Sequence, residues 1–288
     1  MIITTLNSIN KNTTLFSSNS LFFSIFYETL YYVTSINPET LKIKVKSTDY
    51  SFLYNIFMPF WLTSRLFFPP LKDALVEPNG LLAAGGDLSP ERLVQAYRSG
   101  IFPWFNENEP ILWWSPNPRM VLFPTELKIS RSLNETLKKG DYEIRVDSAF
   151  NEVIHACAAP RKGQTGTWIH PDMISAYTTL HKMGLAHSVE TWIDGKLKGG
   201  LYGVTQGKIF FGESMFSEID NASKISFVHL VRQLQKWKYS MIDCQMKTTH
   251  LASFGAREIP RKEFSHILKK SVNHHQIEKW IFDTESIK

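Results

Sequence analysis

The sequence predicts an α+β fold with a mostly antiparallel central sheet, preceded by a small N-terminal domain. Three observations carry this reading. Helical periods at 147–157 and 171–183 come first, an Asp194-Gly195 hairpin with a further strand follows, and a long helix and short strand then lead to a last helix after Pro260. Helices, a meander, a helix and another strand suit a helix-covered antiparallel sheet better than repeated β-α-β units. Upstream, Pro, Gly and Trp punctuate a compact stretch at 67–114. With 288 residues the chain can bury a full core, and a large domain plus a small one is the natural division.

The elements follow in order. Ser89-Pro90, then Leu93, Val94, Ala96 and Tyr97, then Gly100 supply a cap, a first-turn proline, an apolar stripe and a closing glycine. The prolines of Ile101–Phe105 and Ile111–Arg119 exclude a regular helix and hold aromatic rings on loops or edge strands. Two readings fit those rings: a proline-aromatic core, or a surface on which bases stack. Asp147 is expected to cap a helix carrying Phe150, Val153, Ile154 and Cys157 on one face. Pro171–Met183 carries Met173, Ile174, Tyr177 and Leu180 on one face, and Gly184 closes it. Ser188–Ile193 and the segment from Lys196 pair across Asp194-Gly195, since Asp-Gly accepts the φ > 0 turn. Gln206-Gly207 turns the chain into a Lys208–Phe211 strand. A polar stretch, Gly212–Lys224, leads into the helix from Ala222 to about Lys236, followed by the strand Met241–Gln245.

Composition narrows the classes. The net charge of +5 is thinly spread, which permits an anionic partner such as RNA without demanding one. Cys157 and Cys244 provide no disulfide framework, and no Cys/His cluster has zinc spacing, so a reducing compartment and no structural metal are expected. The most apolar N-terminal run, Leu21–Val33, is too short for a membrane span and is broken by Glu28. Residues 1–57 are rich in Ser, Thr, Asn, Ile and Phe and lack helical period. They are expected to be an upstream start-site artefact or a disordered leader, with Met58 as the physiological start. A transit peptide is a poorer fit, because the segment begins without Arg and with little Lys. The expected division is thus 1–57 leader, 58–120 small domain, 121–275 catalytic domain and 276–288 tail.

Two stretches could carry chemistry. In Gly212–Lys224 the strand is expected to break at Gly212 and a helix to begin near Asn221, exposing backbone N–H groups that would seat an anion. Glu213 could bond sugar hydroxyls or an amine; a plain capped loop fits the same residues. In Met241–Met246 the period of two puts Asp243 and Gln245 on one face. If Asp243 accepts from the Gln245 side-chain amide, the Gln245 carbonyl stays free to orient an incoming amine. An edge strand with a wet polar face fits equally. Cys244 points toward the core on this pattern, which argues against a thiolate nucleophile served by His250. The basic loop Arg161–Gly166, with Arg131, Lys138 and Lys139, could meet a phosphate backbone or be simply solvated.

Eight segments occur together in order: Glu77–Asp87, Gly100–Phe105, Trp113–Arg119, Gly166–Ile169, Gly212–Ser217, Asn221–Lys224, Ile242–Gln245 and Glu258–Arg261. From Phe67 to Lys270 the chain resembles bacterial leucyl/phenylalanyl-tRNA–protein transferases. The resemblance implies an acetyltransferase-like (GNAT-type) domain behind a small N-terminal domain. It implies a cytoplasmic, cofactor-free and monomeric enzyme that moves Leu or Phe from aminoacyl-tRNA to proteins with N-terminal Arg or Lys. Such products enter N-end rule degradation through a Clp adaptor and protease. By the same resemblance, Asp243 and Gln245 are catalytic, positioning and polarising the amine. Trp104, Trp168, Glu213, Tyr97 and Tyr177 hold the aminoacyl-adenosine, and Met215, Phe227, Leu230, Leu234 and Ile242 wall its side chain. The Phe227, Leu230 and Leu234 positions depart from the family's mix of Leu and Phe, so the preference between the two donors is open. The alternatives are a coenzyme-A-dependent N-acyltransferase, which would want a glycine-rich pyrophosphate turn where Glu213 stands, and a non-catalytic RNA-binding module.

Overall fold

The computed structural model describes residues 59–160, 167–275, 277 and 279–283. The leader, the proposed start at Met58 and the basic loop 161–166 lie outside them. The described residues contain seven α-helices and two sheets, all in one compact unit of residues 55–288.

The smaller sheet has four strands: β1 (Phe60–Leu62), β2 (Leu81–Gly85), β3 (Phe102–Pro103) and β4 (Leu112–Trp114), ordered β1-β2-β4-β3. β1 and β2 are parallel; the other pairs are antiparallel. Between β2 and β3 runs α1 (Pro90–Ser99), which is built as its sequence indicates. Ser89 Oγ accepts the Arg92 N–H, Pro90 occupies the first turn and Gly100 closes it at φ 79°. The proline-aromatic segments are mainly core: Phe105, Trp113 and Trp114 are buried, while Trp104 is 39% exposed.

The larger sheet has seven strands: β5 (Arg119–Leu122), β6 (Glu143–Val146), β7 (Ala186–Ile193), β8 (Lys196–Gln206), β9 (Ile209–Ser217), β10 (Met241–Asp243) and β11 (Arg257–Ile259). Their order is β11-β5-β10-β9-β8-β7-β6. The sheet is mixed, because β9 and β10 run parallel while the other neighbours are antiparallel. Its helices are α2 (Arg131–Lys139), α3 (Phe150–Ala158), α4 (Pro171–Lys182), α5 (Ala222–Lys236), α6 (Thr249–Ser253) and α7 (Arg261–Ser271). The β7–β8 hairpin turns at Asp194 and Gly195, both at positive φ. A Cβ on Gly199 would meet Ala222 of α5, and one on Gly200 would reach Val153 of α3. Successive strand residues face opposite ways, so α5 and α3 cover opposite faces. The α5 face holds the main core, with Leu201, Phe210, Val228, Val231 and Leu234 among its buried residues.

Four expectations are corrected. β9 does not break at Gly212 but continues to Ser217, so Glu213 stands on a strand. The first N–H groups of α5 are not an open anion seat: Ala222 donates to Ile219 O at 3.3 Å and Ser223 to Ser217 Oγ at 3.1 Å. Asp147 does not cap α3; it turns toward β7, accepting the Ser188 N–H at 2.9 Å. Glu190 instead accepts from the Ser148 and Ala149 N–H groups, each at 3.1 Å. Finally, β10 ends at Asp243, and Gln245 is left-handed at φ 54°, so strand alternation does not reach it.

Candidate active site

The site lies where two parallel strands part. β10 pairs with β9 only along Ile209–Phe211, while β9 runs six residues further, to Ser217. Among the described residues, the edge of Gly212–Ser217 on the β10 side therefore has no strand beside it. A cavity of about 440 Å³ is lined by that edge, by the segment after β10 and by α5. Its apolar wall includes Met215, Phe227, Leu230 and Ile242; its polar groups include Glu213 and Gln245; Trp104 and Trp168 also line it. Large apolar walls with a few convergent polar groups are the usual make-up of a small-ligand site.

Glu213 is held by neutral donors. Tyr97 donates its hydroxyl to Oε1 at 2.8 Å and Tyr177 donates to Oε2 at 2.9 Å, and the two hydroxyls also touch each other. The Gln245 side-chain amide approaches Oε1 at 3.5 Å. Burial raises the Glu213 carboxyl from its ordinary 4.5 to about 7, although both tyrosine bonds pull it down. The tyrosine hydroxyls are themselves pushed well up, by burial first and the Glu213 charge second. Neither tyrosine lines the cavity; both grip Glu213 from behind.

Asp243 is fully buried and fully paired. Arg119 donates from Nε to Oδ1 at 2.8 Å and from Nη2 to Oδ2 at 2.6 Å. Oδ1 also accepts the Gln245 backbone N–H at 3.0 Å. The expected bond from the Gln245 side chain to Asp243 is not made: the backbone takes that place and the side chain turns to Glu213. Gln245 itself lines the cavity. Cys244 is buried, and burial pushes its thiol far above its ordinary range, so it is no thiolate.

Other expected residues sit elsewhere. Leu234 is fully buried in the core further along α5 and does not line the cavity. Arg131, Lys138 and Lys139 are exposed on α2, also outside it. No group of three or more His, Cys, Asp or Glu residues suited to a metal occurs among the described residues. Three contributors carried little sequence signal of a place in the site. Arg119 closes a noted segment, but its burial depends on a partner 124 residues away. His250 and Leu251 reach the cavity from α6, whose cap, Thr248 Oγ1 accepting from Leu251 N–H, is a readable local pattern.

Comparison with known proteins shows which family the chain resembles. A family model described as leucyl/phenylalanyl-tRNA protein transferase matches residues 121–269, and one for the N-terminal domain of that transferase matches 86–117. The leucyl/phenylalanyl-tRNA–protein transferase of Nitrosospira multiformis is 67% identical over 228 residues, 79% of this chain and 98% of that protein. Its counterpart in Nitrosomonas eutropha is 70% identical over 217 residues, 75% of this chain and 93% of that protein. Among solved structures, L-PGS from Bacillus licheniformis aligns at a TM-score of 0.34 and 11% identity, over 58% of this chain and 54% of that one, too slight a likeness to bear on fold or function. The chain belongs to the leucyl/phenylalanyl-tRNA–protein transferase family.

Proposed function

We propose that this protein transfers Leu or Phe from aminoacyl-tRNA to the α-amino group of proteins that begin with Arg or Lys. The observation that carries the reading is the cavity beside β9, where an apolar wall, a buried-side carboxyl, a primary amide and two indoles converge. The apolar wall of Met215, Phe227, Leu230 and Ile242 takes the donor side chain. Trp104 and Trp168 stack the terminal adenosine, and Glu213 bonds its hydroxyls. The basic face of α2, with Arg131, Lys138 and Lys139, meets the tRNA backbone.

The chemistry asks little of the protein. An aminoacyl ester is already activated, so forming an amide from it consumes no nucleotide. An α-amino group of pKa about 7.7–8.0 is neutral in roughly 10–20% of molecules at pH 7. Its nitrogen attacks the ester carbonyl carbon, a tetrahedral oxyanion forms, and the ribose oxygen leaves with a proton. The Gln245 carbonyl accepts a hydrogen bond from the amine and so orients it, while Asp243 holds Gln245 in place. Positioning of this kind supplies most of the acceleration. The protein works as a cytoplasmic monomer. Residues 121–275 form an acetyltransferase-like domain with a mostly antiparallel sheet, behind a small domain at 58–120. Its products enter N-end rule proteolysis.

Incubation with charged Leu-tRNA or Phe-tRNA and an Arg-initiated peptide tests the proposal. The expected product is a peptide extended by one residue. Absence of transfer with both donors rejects it; transfer from an acyl-coenzyme A, or RNA binding without transfer, would favour the two alternatives.

A further inference from the structure

Gln245 adopts a backbone conformation that a side chain-bearing residue rarely takes, and its surroundings must impose it. Two contacts do so. Its carbonyl accepts the Met120 N–H at 3.2 Å, and its own N–H donates to Asp243 Oδ1 at 3.0 Å. The second contact is only as firm as Asp243 itself. A buried carboxylate left alone would rotate or take up a proton; this one is fixed by the two-pronged grip of Arg119.

Arg119 is in turn locked from outside the larger sheet. Its guanidinium lies between the rings of Phe102 on β3 and Phe264 on α7, with its central carbon 4.7 and 4.6 Å from their centroids. Nη1 donates to Gly100 O, at the end of α1, at 3.3 Å. Gly100 admits this packing because it has no side chain: a Cβ there would stand 2.7 Å from the Phe264 ring. The smaller sheet, α1 and α7 therefore converge on one cation, and that cation meets the cavity's lining through Asp243 and the Phe102 ring. Arg119 is not itself among the cavity's lining residues.

We infer that Arg119 is a positioning residue of the transfer site, acting through Asp243 to hold Gln245 in the left-handed turn that aims its side-chain amide at Glu213. Asp243 is then a relay rather than the proton acceptor, since both its oxygens are engaged by Arg119 and one also by the Gln245 backbone. A lysine cannot replace Arg119, because an ammonium lacks the planar fork that grips both carboxylate oxygens and the face that stacks between two rings. The smaller sheet would thus set catalytic geometry as well as present Trp104.

The inference rests on the transferase reading, and the experiment separates the two. Single-turnover leucine transfer, donor KM and thermal midpoint are measured for the wild type, Arg119→Lys and Phe264→Leu. Phe264 does not line the cavity, so its replacement loosens Arg119 without altering the ligand's walls. Arg119→Lys is expected to lower the transfer rate at least about ten-fold, with donor KM within about two-fold of wild type. Phe264→Leu is expected to lower the rate about three- to five-fold with the same unchanged KM, and it decides the matter if Arg119→Lys does not fold. A folded variant with wild-type rate, or a donor KM that rises in step with the loss of rate, overturns the positioning role. A wild type that transfers nothing overturns the transferase reading instead.

Discussion

Asp243 and Glu213 stand on neighbouring strands and share one cavity, yet their surroundings treat them oppositely. Asp243 is closed in by a buried guanidinium, two aromatic rings beyond it and a backbone N–H. Among the described residues no cation is bonded to Glu213; its oxygens meet two phenolic hydroxyls and a primary amide, and burial raises it to about 7. Two carboxyls a few residues apart in space can thus hold different offices, one part of the frame and one facing the ligand, because environment rather than residue type sets charge and reach.

The largest effect expected from breaking this contrast is at the frame. Asp243→Ala leaves the Arg119 charge buried without a partner, which should cost about 3–5 kcal/mol of stability and nearly abolish transfer. Chemical denaturation of the variant measures this; a loss under 1 kcal/mol would mean that the pair does not frame the site.

The next effect is one of pH. Glu213 is raised on folding, so the folded protein binds its proton more tightly than the unfolded chain does. The sign follows: between about pH 4.5 and 7 this group makes stability fall as pH rises, and above that window the full penalty is in place. Glu213→Gln should remove this part of the pH dependence and gain stability relative to wild type at pH 8 compared with pH 5.5. It should also weaken the donor's hold. Parallel melting curves for both proteins at the two pH values check it, and identical slopes would contradict it.

Smaller again are the stacking losses. Trp104→Ala and Trp168→Ala each should raise donor KM about ten-fold, in line with roughly 1–3 kcal/mol per stacked base, and leave turnover at saturation nearly unchanged. An unchanged KM would remove the indoles from the ligand side. The smallest effect belongs to Cys244, which lines the cavity next to Asp243 in the chain but is inert by burial. Cys244→Ala should keep turnover within about two-fold, as a steady-state assay would show.

Much of this was legible in the sequence where local chemistry decides the outcome. Ser89, Pro90 and Gly100 bound α1 as their types require, and Asp194-Gly195 turns the hairpin. Legibility failed where a distant group overrode a local pattern. Gly212 looks like a strand breaker, but pairing with β8 carries β9 on to Ser217. Asp147 looks like a cap, yet Glu190, buried on the neighbouring strand, takes the helix N-terminus. In the site, Glu213 and Gln245 were readable as polar residues beside apolar runs. Their direct approach to each other was not, because it depends on a left-handed turn at Gln245 and on Arg119, whose partner is remote in sequence.

The most direct test of the central claim is single-turnover transfer of leucine from charged Leu-tRNA to an Arg-initiated peptide by the wild type and Gln245→Ala, with donor binding measured in parallel. Transfer by the wild type, lowered at least ten-fold in Gln245→Ala with donor affinity within about two-fold, is the expected result. Full transfer by Gln245→Ala, or no transfer by the wild type, would contradict it.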